Sequence, residues 1–293
     1  MIMMGEQEPK FWEQSGSSNE LGSSERRQPT EAERLIIHKY SGGEISRLSR
    51  EVKVNTRANT PFSTPGKFNL FHDGEGRDPD GVFQQLVRQS GTVRVIDLGS
   101  STTMLRATEH ELRLLKGAGI KEYVGIDLGV EGIDWFEHPL DRKSAEGAEK
   151  LKCKYIQAEF LSAIHSLPDN YSNAWMTGIE SDNVIQNYNH WGFALLSELK
   201  RVTPKNGFIF TDEGFINSIL AQVPEYTDFR NNFKQKNKES LQKWETQEND
   251  RFVPASLAYV VDMPTIGLRA YVSKQAASSM GAAILLVNTE KRE

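Results

Sequence analysis

Cysteine is nearly absent from the sequence, since Cys153 is the single one among 293 residues. One thiol excludes an internal disulfide and any metal site built from several cysteines. The scarcity also fits a reducing compartment. We therefore predict a cytoplasmic protein that carries no metal centre.

Long hydrophobic runs and a strong charge of one sign are also absent. No stretch approaches the 18 continuous apolar residues of a membrane helix. Residues 1–9 lack the basic start and apolar run of a secretory signal. The net charge of −5 does not favour long-range attraction to nucleic acid or an anionic membrane surface. We expect neither partner, and the pattern leaves the oligomeric state open.

Aliphatic residues are scarce up to about Gly66, where Ser, Gly, Glu, Gln and Arg dominate. Such a composition does not compensate for the entropy lost on ordering. One exception begins at Thr30, which has Glu33 three residues later and an aliphatic run beyond it, the pattern of a helix capping box. We interpret residues 1–66 as a polar, partly disordered N-terminal extension with one short helix, and residues 67–293 as the folded domain.

Strand and helix patterns alternate from Phe68 onward. Compact apolar runs predict strands at 93–99, 123–127, 154–158, 174–179 and 207–211. Helical spacing predicts helices at about 79–89, 104–115, 142–151 and 191–202. This alternation is typical of βαβ crossovers and a parallel sheet.

The last third of the chain has a different pattern. Residues 215–250 are charged and helical in character, which indicates a helical insertion. Two final strands, at 268–273 and 283–287, have a link short enough for an antiparallel hairpin. The predicted fold is α/β: a Rossmann-like, seven-stranded, mostly parallel sheet with a C-terminal antiparallel hairpin and helices on both faces.

Polar residues follow the predicted strands, at the carboxyl ends where open α/β sheets bind ligands. Asp97 and Gly99 close the first strand, and Asp127 closes the second. An acid at the end of the second strand can accept hydrogen bonds from both hydroxyls of a ribose. Gly99 permits a tight turn, and the helix after it offers free N–H groups to a carboxylate. The acids after the later strands are Glu159, Glu180, Asp182, Asp212 and Glu213.

Residues 93–214 resemble the core of the class I S-adenosylmethionine-dependent methyltransferases. Residues 93–101 resemble the first motif of that family, an acid followed by glycines. Residues 123–129 resemble the second motif, which carries the ribose-binding acid, and residues 155–160 resemble the third, which meets the adenine. Two later segments, 167–176 and 196–209, resemble the approach to the fourth strand and the helix and turn before the fifth. The resemblance implies that residues 67–293 form a methyltransferase-like domain.

The resemblance implies S-adenosyl-L-methionine as the cofactor. The positions that match its binding residues are Asp97, Gly99, Ser100, Ser101, Asp127, Leu128, Glu159 and Phe160. Structural alternatives stay open for each residue. Asp97 and Gly99 can simply end a strand and form a turn, and Asp127 can cap the next helix. Phe160 can belong to the core.

The glycine loop departs from the family pattern, because residues 99–103 keep only the first glycine. A non-glycine residue forced to positive φ costs about 1–2 kcal/mol, which corresponds to about one decade of affinity. We expect weakened rather than abolished cofactor binding. The hydroxyls of Ser100, Ser101 or Thr102 can compensate by capping the following helix.

Three residues are candidates for catalysis. Glu180 and Asp182 follow the fourth strand, where a transferable methyl group would meet its acceptor, and His190 is a candidate general base. The structural alternatives are exposed acids at a strand end and a histidine at a helix start. Methyl transfer from a sulfonium depends largely on in-line positioning and desolvation, so no fixed catalytic dyad is required.

The predicted function is methyl transfer to a small molecule or a protein side chain. The alternative is a non-catalytic cofactor-binding or regulatory module that keeps the fold. It is suggested by the loop of residues 99–103, which keeps only the first glycine of the family pattern. A nicotinamide oxidoreductase needs a Gly-x-Gly-x-x-Gly run after the first strand, which this sequence lacks.

Overall fold

The computed structural model describes residues 82–100, 115, 117–127, 133–139, 150–176, 194–235, 238–245, 253, 258–278 and 281–290. The predicted N-terminal extension, with its short helix, lies outside these residues.

The described strands form one nine-stranded sheet with the order β3-β4-β2-β1-β5-β6-β9-β8-β7. The strands are β1 (Arg94–Leu98), β2 (Glu122–Asp127), β3 (Ile133–Pro139), β4 (Lys150–Gln157), β5 (Asn173–Met176), β6 (Phe208–Asp212), β7 (Ala258–Met263), β8 (Leu268–Ser278) and β9 (Gly281–Asn288). The five central strands β4, β2, β1, β5 and β6 are parallel. The outer pairings β3–β4, β6–β9, β9–β8 and β8–β7 are antiparallel.

Helices cover both faces of the sheet. In the described residues they are α1 (Val82–Ser90), α2 (Phe160–Ser166), α3 (residues 194–202), α4 (Glu213–Leu220), α5 (Pro224–Lys234) and α6 (Lys238–Gln242). Apolar residues of α1 join one buried cluster with Val95 of β1, and apolar residues of α2 to α5 join the opposite cluster with Ile96. Successive strand residues point to opposite faces, so β1 serves both layers. Within the described part of the chain, each helix is too short or too polar to cross a membrane.

The mixed α/β sheet with helices confirms the coarse fold prediction, but four finer predictions need correction or extension. The sheet has nine described strands instead of seven, because β3 and β7 add an antiparallel strand at each edge. Half of its pairings are antiparallel, so it is mixed rather than mostly parallel. The predicted hairpin is part of an antiparallel trio, β7–β8–β9. The helix predicted at 142–151 overlaps the start of β4, whose alternating burial is that of a strand.

The order of the strands creates a switch point beside β1. From β1 the chain proceeds to β2 and β4 on one side and later returns to β5 and β6 on the other. A crevice therefore opens at the carboxyl ends of β1 and β5, the place where such sheets bind ligands.

At the opposite, amino-terminal side of the sheet, a buried ion pair joins α3 to the end of α2. Arg201 donates to Oε2 of Glu198 at 2.8 Å and to Oδ1 of Asp169 at 2.6 Å. It also donates to the carbonyl oxygens of Ile164 and Leu167, at 3.0 and 2.9 Å. A cationic side chain at these carbonyls stabilises the carboxyl end of a helix.

This network predicts a specific acid sensitivity. Burial raises the pKa of the Glu198 carboxyl, but hydrogen bonds from His165 and Arg201 and the charge of Arg201 outweigh it and hold the pKa at about 2, against an ordinary value of 4.5. The carboxylate therefore stabilises the fold above about pH 4.5, and this contribution is lost as the pH falls towards 2.

From about pH 6 to pH 3, we expect wild type to lose about 2 kcal/mol more unfolding free energy than Glu198→Gln. Urea denaturation at each pH measures both proteins. Parallel pH curves for the two would show that Glu198 is not the group responsible.

Candidate functional site

The loop after β1 lies directly against the end of β2. Asp97 pairs in register with Gly125, and Leu98 pairs with Ile126. The Gly99 amide donates to the carbonyl oxygen of Ile126 at 2.9 Å, so the turn is bonded to the residue that immediately precedes Asp127. Three of the predicted site residues, Asp97, Gly99 and Asp127, therefore lie together at one edge of the sheet.

Gly99 stands where the backbone requires glycine. Its φ is +74°, a left-handed conformation that glycine adopts without steric cost. Ser100, which follows, is fully buried. Asn170 and Asn206 are the described non-glycine residues with positive φ, so Ser100 is not left-handed, and the second glycine of the alternating family pattern would fall at residue 101. Residues 101–103 lie outside the described ranges.

Gly125 is a site residue that the sequence analysis missed. A Cβ at this position would lie 2.6 Å from the Ser100 Oγ and 2.7 Å from the Tyr155 ring. The absence of a side chain lets the loop after β1 and the ring from β4 close over the middle of β2. A glycine inside a strand pattern often marks such a close approach, and that signal was present in the sequence.

Asp97 is fully buried and faces β2. The Tyr123 hydroxyl donates to Oδ2 of Asp97 at 2.5 Å. Burial raises the pKa of Tyr123 well above its usual value, and the negative charge of Asp97 raises it further. Tyr123 is thus a neutral donor to this acid at ordinary pH, a role that the sequence pattern did not indicate.

Asp127 occupies the last position of β2 and is half-buried. Its carbonyl oxygen accepts from the Ala158 amide at 3.3 Å, which connects the end of β2 to the turn after β4. Strand alternation places Asp97, Gly125 and Asp127 on the same face. Its partial exposure and its place beside the Gly99 turn give Asp127 the position of a ligand-binding acid.

Glu159 and Phe160 have structural roles at the start of α2. Glu159 is the N-cap, and its carboxylate oxygens accept from the amides of Leu161 and Ser162, each at 2.9 Å. Burial raises the pKa of the Glu159 carboxyl, while these backbone N–H groups oppose the rise. Phe160 packs in the core beneath the sheet. The contact of these two residues with an adenine remains a prediction.

The other predicted residues are placed as follows. Ser101, Leu128, Glu180, Asp182 and His190 lie outside the described residues. Glu213, at the start of α4, forms an ion pair with Arg230 and accepts from the Ala282 amide at 3.0 Å. It therefore ties α4 to α5 and β9.

The arrangement fits a nucleoside-type ligand. A half-buried acid at the end of β2 can accept hydrogen bonds from a sugar diol. The left-handed turn at Gly99 lets backbone approach the ligand closely.

Comparison with known proteins gives limited results. No protein-family model matches the chain, and no curated protein matches it. Solved structures with some likeness include human N-acetylserotonin methyltransferase in complex with SAM, at 11% identity and a TM-score of 0.34, covering 88% of this chain and 67% of that one. A Corynebacterium glutamicum protein has 10% identity and a TM-score of 0.33, with coverage of 88% and 96%.

A third solved structure is the 16S rRNA (adenine(1408)-N(1))-methyltransferase of Catenulisporales acidiphilia with SAM. Its identity is 12%, its TM-score is 0.29, and the alignment covers 72% of this chain and 93% of that one. TM-scores of this size carry no information about the role of any residue in this chain.

Proposed function

We propose that this protein is an S-adenosylmethionine-dependent methyltransferase that moves a methyl group to a small molecule or a protein side chain. The observation that supports this most is the bond from the Gly99 amide to the Ile126 carbonyl. It places a left-handed glycine turn directly beside Asp127, at the switch point of an α/β sheet. The motif order along residues 93–214 agrees with this placement.

The proposed binding roles follow from the positions of the residues. Asp127 accepts hydrogen bonds from the ribose hydroxyls. The turn at Gly99, Ser100 and Ser101 receives the amino-acid part of the cofactor, with Asp97 beneath it. Leu128, Glu159 and Phe160 are the proposed residues near the adenine, although the capping contacts of Glu159 leave its carboxylate less available than the sequence predicted.

Bound S-adenosylmethionine supplies an activated methyl group on a sulfonium with a good leaving group. The protein then has to bind and orient the two reactants in line and exclude water. Glu180 and Asp182 are proposed to orient the acceptor, and His190 to take a proton from it where the acceptor atom carries one.

Replacement of Asp127 tests the proposal. Wild type is expected to bind S-adenosylmethionine saturably in isothermal titration calorimetry. The Asp127→Ala variant is expected to bind about 100-fold more weakly, because two hydrogen bonds to a charged group are lost, together about 3 kcal/mol. Its unfolding free energy should stay near that of wild type, since Asp127 lies partly exposed at a strand end.

Asp262→Ala is the matched control. Asp262 is an acid on β7, 63% exposed and paired with Arg269 across the sheet edge. Its removal should leave cofactor affinity unchanged. Equal affinities for wild type and Asp127→Ala would refute the assignment of the ribose-binding acid.

A second candidate function has one observation in its favour. The loop of residues 99–103 keeps a single glycine, which favours a binding or regulatory module that retains the fold without turnover. Saturable binding of S-adenosylmethionine, with no methyl transfer to small-molecule or protein acceptors, would support that candidate.

A further inference from the structure

Beneath the candidate site, Tyr123 connects the two strands that carry it. Its hydroxyl reaches Oδ2 of Asp97 at 2.5 Å, and both residues are fully buried. Its ring packs edge-on against Tyr155, with centroids 6.2 Å apart. The Tyr155 ring in turn lies where a side chain at Gly125 would have to be. Tyr123 therefore belongs to one packed unit with the loop after β1.

The chemistry of the Tyr123–Asp97 contact favours a hydrogen bond that persists across the ordinary pH range. A buried carboxylate is costly unless donors replace the water it has lost. A phenol hydroxyl that stays neutral across the ordinary pH range supplies such a donor, and burial and the Asp97 charge both raise the Tyr123 pKa in that direction. Hydrogen bonds to charged groups are also stronger than neutral ones.

The position of the bond matters as much as its strength. Asp97 lies two residues before the Gly99 turn, and Tyr123 lies four residues before Asp127 on the neighbouring strand. The side-chain bond therefore crosses between the same two strands whose ends form the site. It connects β1 and β2 in addition to their backbone hydrogen bonds, and it fixes the start of the Gly99 turn relative to Asp127.

We propose that Tyr123 is a positioning residue of the cofactor site, which holds the Asp97 carboxylate and thereby sets the Gly99–Ser100 turn relative to Asp127. This inference rests on the proposed function. It adds a determinant of cofactor affinity that does not touch the cofactor and acts through Asp97.

The test measures S-adenosylmethionine affinity by calorimetry. Tyr123→Phe keeps the ring and removes the donor, and we expect its affinity to fall about ten-fold or more. Tyr226→Phe is the matched control. Tyr226 is also a buried tyrosine, and its hydroxyl donates to Oδ1 of Asn217 at 2.9 Å, away from β1 and β2. Both variants should lose stability in urea denaturation, whereas the control should keep wild-type affinity.

A double-mutant cycle separates positioning from general destabilisation. If Tyr123 acts through Asp97, Tyr123→Phe should weaken binding in the wild-type background and change it less than two-fold in the Asp97→Leu background, where the acceptor for the hydroxyl is gone. Equal losses in the two backgrounds would overturn the inference. The same four proteins can also be compared by urea denaturation without ligand. Their unfolding free energies should show coupling between residues 123 and 97, which can be measured even where cofactor binding is weak.

The outcomes for the two proposals are distinguishable. Wild-type protein that binds no S-adenosylmethionine refutes the proposed function and the positioning role with it. Wild-type protein that binds, with Tyr123→Phe binding equally well, overturns the positioning role alone.

Discussion

Replacement of Arg201 by methionine is expected to lower the free energy of unfolding by about 3–5 kcal/mol. Arg201 is 10% exposed and Glu198 is 1% exposed. The substitution removes the cationic partner of a buried carboxylate and the donor to three carbonyl oxygens at the end of α2. A buried charge left without its main partner is one of the most destabilising changes that a single substitution can cause. Urea denaturation at neutral pH measures the effect.

Two comparisons make this result specific. Lys150→Met removes one partner of an ion pair in which both side chains are more than half exposed, and it should cost less than about 1 kcal/mol. The double variant Arg201→Met with Glu198→Gln should recover part of the loss, because the buried charge is also gone. An Arg201→Met variant as stable as the Lys150→Met variant would show that the network does not support the fold.

Gly125→Ala is expected to cost about 3 kcal/mol or more and to weaken cofactor binding at the same time. The new methyl group would meet the Ser100 Oγ at 2.6 Å and the buried Tyr155 ring at 2.7 Å. The Tyr155 ring is held inside the core, so its contact with the new methyl group cannot be relieved easily. The contact with Ser100 can be relieved only if the loop after β1 moves. Urea denaturation and calorimetry with S-adenosylmethionine report the two effects separately.

Gly117→Ala is the control for this substitution. Gly117 is an exposed helical residue, and a Cβ there meets no atom within 4 Å. Alanine should be neutral or stabilise by up to about 1 kcal/mol. Adding Ser100→Gly to Gly125→Ala should restore part of the stability, because one of the two clashes disappears. A Gly125→Ala protein with wild-type stability and affinity would contradict the close packing of Ser100 and Tyr155 against Gly125.

The sequence predicted best those elements whose pattern is local. The runs that became β1 and β2 are short, apolar and bounded by an acid or a glycine, so both the strands and their polar ends could be located. The edge strands β3 and β7 were missed. The sequence of β3, Ile-Asp-Trp-Phe-Glu-His-Pro, mixes acids and a proline into the run, and an edge strand has one pairing partner in place of two.

The candidate site divides in the same way. Asp97, Gly99 and Asp127 could be predicted as site residues because the local sequence shows that each lies at the end of a strand. Tyr123 and Gly125 acquire their roles from side chains on other strands: Asp97 on β1, Ser100 after it and Tyr155 on β4. A period-two pattern indicates which face a residue occupies but not what it meets there. The cap formed by Glu159 was missed because residues 155–160 were interpreted as the third motif at the end of a strand. No helix was predicted directly after that strand, so Glu159 was not considered as an N-cap.

The Arg201 ion pair adjoins the amino-terminal ends of the central strands, whereas the Gly99 turn and Asp127 lie at their carboxyl ends. A strand of four or five residues, such as β5 or β1, keeps these two regions more than about 10 Å apart. At that separation, the effects of substitutions add nearly independently. Substitutions in the Arg201 network can therefore change thermal tolerance in evolution while ligand preference stays constant.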